Sequence, residues 1–160
     1  MMRLLVIRHG DAGDREEFAF TGRPDSERPL TREGRVKMRR AATGLKGIHP
    51  DVDLVATSPL VRATQTAEIV ADTYGGIQLT TVDQLAPEHA PDDLLPWLRG
   101  HEPHLGFLVG WLLTGRHESF VELKKGGAVL LEFDDPPAPG GATLLWAVPP
   151  GHLRKLRKAR

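Results

Sequence analysis

Apolar residues in this chain come in short unbroken runs, most of them followed by a longer stretch in which they recur every three or four positions. Leu4 to Ile7 is the first run. Four consecutive apolar residues bounded by polar ones suit a strand covered on both faces of a sheet. From Gly10 to Pro29 the pattern gives way to Gly, Pro, Asp and Arg, which predicts a long loop, and loops of that length are usually functional or disordered. Thr31 then caps a predicted helix that continues to Lys46. Its apolar stripe is Met38, Ala41, Ala42 and Leu45 at i, i+3, i+4 and i+7, and Gly47 and Pro50 end it.

Asp53 to Thr57 predicts a second short strand. Ser58 and Pro59 read as the cap and first position of another helix, whose Ala63, Ala67, Val70 and Tyr74 keep one face apolar until Gly75 and Gly76 stop it. Leu79 to Val82 predicts a third strand and Pro91 to Arg99 a short helix. Pro103 opens a further helix in which Leu105, Leu108, Val109 and Leu112, with Trp111, read as core. Gly127 to Phe133 and Ala142 to Val148 read as two strands joined by the polar hairpin loop DDPPAPGG. Strands alternating with helices first, and a hairpin last, predict an α/β fold: a three-layer sandwich with a mixed, mostly parallel sheet and helices on both faces. No repeat or linker divides residues 1–160, which are expected to form a single domain. The closing HLRKLRKAR reads as a solvated or frayed terminus.

Length and charge narrow the function. A chain of 160 residues suffices for one core burying roughly 70% of the unfolded surface. Its 21 basic and 21 acidic side chains cancel, so no global field recruits nucleic acid or a membrane surface, and any anion site must be local. The absence of cysteine removes disulfides, thiolate metal sites and cysteine nucleophiles together. Leu105 to Gly115, the longest apolar uncharged run, falls short of the roughly 20 residues of a membrane span, and MMRLLVIRHG is too short for a signal-peptide core. A cytoplasmic protein is expected, and nothing in the sequence demands more than a monomer.

The first predicted strand ends abruptly in Arg8, His9 and Gly10 instead of fading into turn residues. In an α/β fold ligands gather beyond the carboxyl ends of parallel strands, where this pair is expected to sit. Histidine is neutral enough at physiological pH to be a nucleophile and basic enough to bond phosphorus. The fixed donor fork of arginine suits phosphate oxygens. A lone histidine is usually satisfied by a backbone carbonyl, but other stretches point the same way. Arg62 follows Ser58 and Pro59 near a helix start with unpaired N–H groups. His101, with Glu102 and Pro103, precedes another apolar helix. Two arginines and two histidines around one concave site would clamp a tetrahedral dianion. Ser58 is a candidate donor to phosphate, or simply a helix cap, and Asp11, Asp14 and Arg23 are further polar candidates in the long loop. No HExxH or Asp-rich spacing calls for a metal.

RHG at Arg8 to Gly10, TSPLVRATQTA at Thr57 to Ala67 and GHEPHL at Gly100 to Leu105 together resemble the histidine phosphatase superfamily, with its phosphoglycerate mutase-like fold. The short length, RPLTREGR at Arg28 to Arg35, and the closing KGGAVLLEF and GGATLLWAVPP resemble its small SixA-type phosphohistidine phosphatase branch. The resemblance implies His9 as the nucleophile that becomes phosphorylated, and Arg8, Arg62 and His101 as the phosphate pocket. It also implies no metal or other cofactor, and a phosphohistidine-bearing protein as substrate partner. Many larger members place a Glu in the loop before a core strand, and Glu88 in LAPEHAPDD is the candidate here. A phosphohistidine substrate lowers the demand for such an acid, because imidazole, with a pKa of about 6.5, leaves readily once protonated and an alkoxide does not.

One stretch departs from the family pattern, in which a core strand feeds the second histidine. Here PDDLLPWLRG runs directly into HEPHL, leaving no room for both a helix from Pro91 and a strand. Either Leu94 to Leu98 take the strand's place despite Pro96, which lacks the N–H of a central ladder, or a segment is missing before His101; the second is the expectation. Two other functions stay open: a small-molecule phosphomonoesterase of the same superfamily, favoured if Glu88 faces His9, and a noncatalytic phosphate-binding module. Phosphoglycerate mutase activity is disfavoured, because the chain lacks the length for segments enclosing a sugar-like acid.

Overall fold

Leu4 and Val6 point to one side of the first strand, β1 (Met2–Ile7), and Leu5 and Ile7 to the other, and this alternation divides the interior into two apolar clusters. The computed structural model describes residues 2–94, 106–118, 121–134 and 136–156. β1 pairs antiparallel with β4 (Ala128–Phe133), Leu4 opposite Leu131 and Ile7 opposite Ala128. β4 pairs antiparallel with β5 (Ala142–Val148), Ala128 opposite Val148, with a register shift between Leu130 and Leu131. A second pair, β2 (Val55–Thr57) and β3 (Leu79–Thr81), is parallel and joined through α3 (Val61–Thr73). Ala56 packs with the Leu4 cluster and Val55 with the Leu5 cluster, so both pairs share one layer.

The helix α4 (Gly106–Thr114) covers one face, burying Leu108, Val109, Trp111 and Leu112 against Leu4, Val6, Val129 and Leu131. On the other face α2 (Arg32–Ile48), α3 and α5 (Pro150–Leu156) pack Met38, Leu45, Val70 and Leu153 beneath Ile7 and Trp146. Full burial of each such aliphatic side chain contributes about 1.5–3 kcal/mol. The three-layer sandwich is therefore the arrangement found. The expectation of a mostly parallel sheet is corrected: among the described residues β2 with β3 is the one parallel pair, because β1 takes as its neighbour a strand of the C-terminal hairpin. No helix among the described residues is long and apolar enough to cross a membrane.

The predicted α2 stripe is buried throughout, and the Thr31 hydroxyl accepts from the Gly34 N–H at 2.8 Å as a cap should. Other boundaries differ. α3 begins at Val61, not Pro59: Leu60 is the capping residue, its carbonyl taking the N–H groups of Ala63 and Thr64, and the Ser58 side chain does not cap. The long loop holds a short helix, α1 (Arg15–Ala19), and a 3-10 turn at Asp25–Glu27. α1 is capped by Asp14, whose carboxylate accepts from the N–H groups of Glu16 and Glu17, and it buries no residue, so no periodicity announces it. The C-terminal segment is helical through Leu156 instead of frayed, pinned by buried Leu153. Its close approach to α2 requires Gly44, where a Cβ would collide with the Leu153 carbonyl. Pro91–Leu94 form a 3-10 turn. The rest of the predicted helix to Arg99, the alternative strand over Leu94 to Leu98 beyond its first residue, and Pro103 and Leu105 lie outside the described residues.

Candidate active site

β1 delivers Arg8, His9 and Gly10 to the end of the sheet where β4 begins. The Arg8 N–H donates to the Gly127 carbonyl at 3.1 Å, and the Gly126 N–H is shared by the carbonyls of Arg8 and His9 at 2.9 and 3.2 Å. On the other side the Gly10 N–H donates to the Thr66 hydroxyl at 3.1 Å, and that hydroxyl donates to the Arg62 carbonyl at 2.8 Å. The next residue, Asp11, accepts the Thr31 N–H at 2.9 Å, and α2 approaches it so closely that a Cβ at Gly34 would collide with the Asp11 carbonyl. The turn after the strand is thus tied to β4, α2 and α3 at once.

The Nδ1 atom of His9 stands 2.7 Å from the Gly10 carbonyl. A carbonyl only accepts, so Nδ1 carries the proton in the neutral ring and Nε2 keeps its lone pair. Burial lowers the pKa of His9 below its ordinary 6.5; the Gly10 hydrogen bond opposes this, and the charges of Arg62, Arg8 and Lys125 add to it. The ring is therefore a neutral base at physiological pH, in a positive field.

Arg62 is the second residue of α3 and its side chain is 9% exposed. Its Nη1 donates to the Asp25 carbonyl at 2.8 Å and its Nη2 lies 3.1 Å from Asp25 Oδ2, while its Nε is buried with no partner. Asp25 also meets Arg28 Nε at 2.8 Å and Arg15 Nε at 3.8 Å. Burial pushes the Asp25 carboxyl up, but the Arg28 hydrogen bond and the surrounding arginine charges outweigh it and hold the group below 3.8. Arg28, itself buried, donates through Nη1 to the Ala12 and Gly13 carbonyls at 3.3 and 2.8 Å, and Arg8 donates through Nη1 to Leu123 at 2.8 Å.

The structure thus brings Arg8 and Arg62 close enough to His9 for their charges to act on it. Ser58 is buried in the turn entering α3, its carbonyl accepting from the Thr57 and Thr64 hydroxyls. Glu88 is exposed, and among the described residues no hydrogen bond or ion pair joins it to the other candidates. His101 lies outside the described residues. The loop candidates have local partners: Asp11 pairs with Lys125 at 2.9 Å, Asp14 caps α1, and Arg23 pairs with Glu27 at 2.9 Å. Sequence reasoning missed Asp25, Thr66 and Lys125. Asp25 reaches a partner 37 residues away, a separation that leaves no local pattern, whereas Arg28 stands in the RPLT segment already singled out.

A neutral imidazole nitrogen beside two arginines suits attack on a tetrahedral anion. The model of the histidine phosphatase superfamily (branch 1) matches residues 4–89. An uncharacterised protein of Picosynechococcus sp. (strain PCC 7002) is 33% identical over 141 residues, covering 80% of this chain and 83% of that one. Phosphohistidine phosphatase SixA of Escherichia coli (strain K12) is 29% identical over 175 aligned positions, covering 99% of both chains. A solved structure of the protein histidine phosphatase SixA complexed with tungstate aligns with a TM-score of 0.77 at 28% identity, covering 95% of this chain and 99% of that one.

Proposed function

Because the chain belongs to the histidine phosphatase superfamily, we propose that it is a single-domain phosphohistidine phosphatase in which His9 takes the phosphoryl group from a histidine of a protein substrate. One observation carries this reading: Nδ1 of His9 is held by the Gly10 carbonyl at 2.7 Å, which leaves Nε2 unprotonated. Nε2 attacks phosphorus in line, the N–P bond of the substrate breaks, and the departing imidazole takes a proton from solvent. Water then attacks the phosphoryl group on His9 and releases phosphate. Phosphoryl transfer asks a protein chiefly for positioning and for charge against the equatorial oxygens. Arg62 and Arg8 supply that charge without a metal ion, with Ser58 as a further donor and His101, by resemblance, as the fourth member of the pocket. The SixA structure holds tungstate, a tetrahedral dianion of the same shape as phosphate, which supports an oxyanion site in this arrangement.

The carboxyl groups near the site among the described residues support this substrate class. Asp11 is held below its ordinary pKa mainly by the hydrogen bond from Lys125, and Asp25 by its arginines, so both are ionised at neutral pH and poor proton donors. Glu88 is exposed and joined to no other candidate among the described residues. Imidazole leaves without a positioned acid and an alkoxide does not, which favours phosphohistidine over a phosphomonoester. The test compares phosphate release from a chemically phosphorylated histidine protein and from p-nitrophenyl phosphate, in chelator, for wild type and His9→Ala. Preferential cleavage of phosphohistidine that His9→Ala abolishes supports the reading; cleavage that survives His9→Ala overturns it.

A further inference from the structure

Gly10 also lines a small cavity between the nucleophile turn, α2 and α5, where Asp11, Lys37, Lys125 and Arg154 stand over a floor that includes Met38, Ala41 and Pro150. Its volume of about 40 Å³ admits a carboxylate head and adjoining water but not a whole metabolite. It opens at the same end of the sheet as His9: Ile7, the last residue of β1, lies opposite Ala128, the first of β4, which in turn lies opposite Val148, the last of β5. Lys125 precedes β4 and Arg154 follows β5, so the topology sets both beside the nucleophile turn, and the charge of Lys125 is felt at His9.

Three cations and a single carboxylate line this cavity. Asp11 accounts for Lys125 at 2.9 Å. Lys37 meets Glu33 at 2.6 Å, an exposed i,i+4 contact outside the lining that yields readily to a better partner. Arg154 is half-buried and forms no ion pair with any carboxylate among the described residues. An arginine so placed offers two parallel donors that match a carboxylate, and charge-assisted pairs of this kind are the strong ones.

We propose that this cavity is a second anion subsite, which takes a carboxylate carried by the substrate beside its phosphoryl group and holds it with Arg154 and Lys37. The proposal rests on the phosphatase reading of His9. Held at two points on either side of Gly10, the substrate presents its phosphorus to Nε2 in a restricted pose. The carboxylate belongs either to an acidic side chain flanking the phosphohistidine of a protein or to the acid group of a small phosphorylated molecule.

The experiment measures kcat and KM for two substrate pairs: phosphohistidine peptides with flanking Glu or flanking Gln, and O-phosphoserine against O-phosphoethanolamine, which differ by one carboxylate. Wild type, Arg154→Gln and Lys37→Gln are compared, with p-nitrophenyl phosphate as the reference reaction. The expected result is a preference of about tenfold in kcat/KM for the carboxylate-bearing member of at least one pair, expressed in KM. Both variants lose most of that preference while hydrolysis of p-nitrophenyl phosphate is unchanged. A preference in the peptide pair alone identifies a protein side chain as the source, and one in the phosphoserine pair alone identifies a small molecule. Absence of preference in both pairs, or a preference that survives both substitutions, overturns the subsite while p-nitrophenyl phosphate is still turned over. A wild type that hydrolyses none of these substrates overturns the phosphatase reading itself, and the subsite with it.

Discussion

Asp25 holds Arg62 through its backbone and its side chain together, its carbonyl accepting from Nη1 at 2.8 Å and its Oδ2 lying 3.1 Å from Nη2. Contacts to two nitrogens of a planar fork fix the plane of the guanidinium. Arg28 Nε, 2.8 Å from the other carboxylate oxygen, fixes Asp25 in turn. Each Nη keeps a second N–H beyond these contacts, and Nε is buried without a partner. A buried donor left without a partner costs stability.

Asp25→Ala removes the Oδ2 contact to Nη2 and the tie to Arg28, leaves only the backbone carbonyl contact to Nη1, and so lets the guanidinium turn. Misplacement by about 1 Å costs on the order of a hundredfold in rate. kcat/KM for p-nitrophenyl phosphate is expected to fall by about that factor, tungstate inhibition is expected to weaken in parallel, and Asp25→Asn, which keeps a hydrogen-bonding oxygen, is expected to lose less. Unchanged kinetics in Asp25→Ala would show that Arg62 needs no such support.

Two glycines of α2 predict opposite outcomes. A Cβ at Gly34 would be driven into the Asp11 carbonyl, whereas one at Gly47 meets nothing within 4 Å. Gly34→Ala is expected to destabilise the protein by about 1–3 kcal/mol and to displace the turn that holds His9. Gly47→Ala is expected to stabilise it by up to about 1 kcal/mol through helix propensity, with activity retained. Urea melts of the two variants, read beside their rates, check both.

The pH dependence follows from His9. Its folded pKa lies below 6.5, chiefly through burial, so the neutral nucleophile persists to lower pH than in a free histidine, and kcat/KM falls only once pH drops below 6.5. As pH falls, the unfolded chain binds a proton at this position before the folded one does. Stability therefore declines between 6.5 and the lower folded value and is not regained beneath it. Melting temperatures of wild type and His9→Asn, compared from about pH 7 to about pH 5, are expected to shift against wild type as pH falls. His49, also lowered mainly by burial, is common to both proteins and cancels. A difference independent of pH would contradict the lowered pKa.

Glu88→Gln is expected to leave phosphohistidine hydrolysis unaltered, since the side chain is exposed and the leaving imidazole needs no positioned acid. A large fall in kcat would place Glu88 in the proton path and restore the phosphomonoesterase alternative.

The sequence pattern was informative wherever one residue type had to recur. The unbroken run Leu4 to Ile7 buries both faces of its strand, the stripe Met38, Ala41, Ala42 and Leu45 buries one face of its helix, and both elements lie where the pattern put them. α1 buries nothing and α5 buries only Leu153, so neither leaves a stripe. Their signals were local instead: Asp14 ahead of Glu16 and Glu17, and Pro150 at a first helical position. The sheet's direction was misjudged because strand and helix alternation predicts parallel neighbours, while β1 is hydrogen-bonded to a hairpin that arrives late in the chain. In the site, Arg8, His9 and Arg62 stand in short motifs and were legible. Asp25 acts through tertiary contacts to Arg28 and Arg62, which no spacing along the chain encodes.

The most direct test of His9 as nucleophile is to quench the protein during turnover of a phosphohistidine substrate and locate the phosphoryl group by mass spectrometry under alkaline conditions. The expected result is one phosphoryl group on His9 of the wild type and none on His9→Ala. Turnover with His9 left unmodified, or a phosphoryl group captured on another residue, would contradict it.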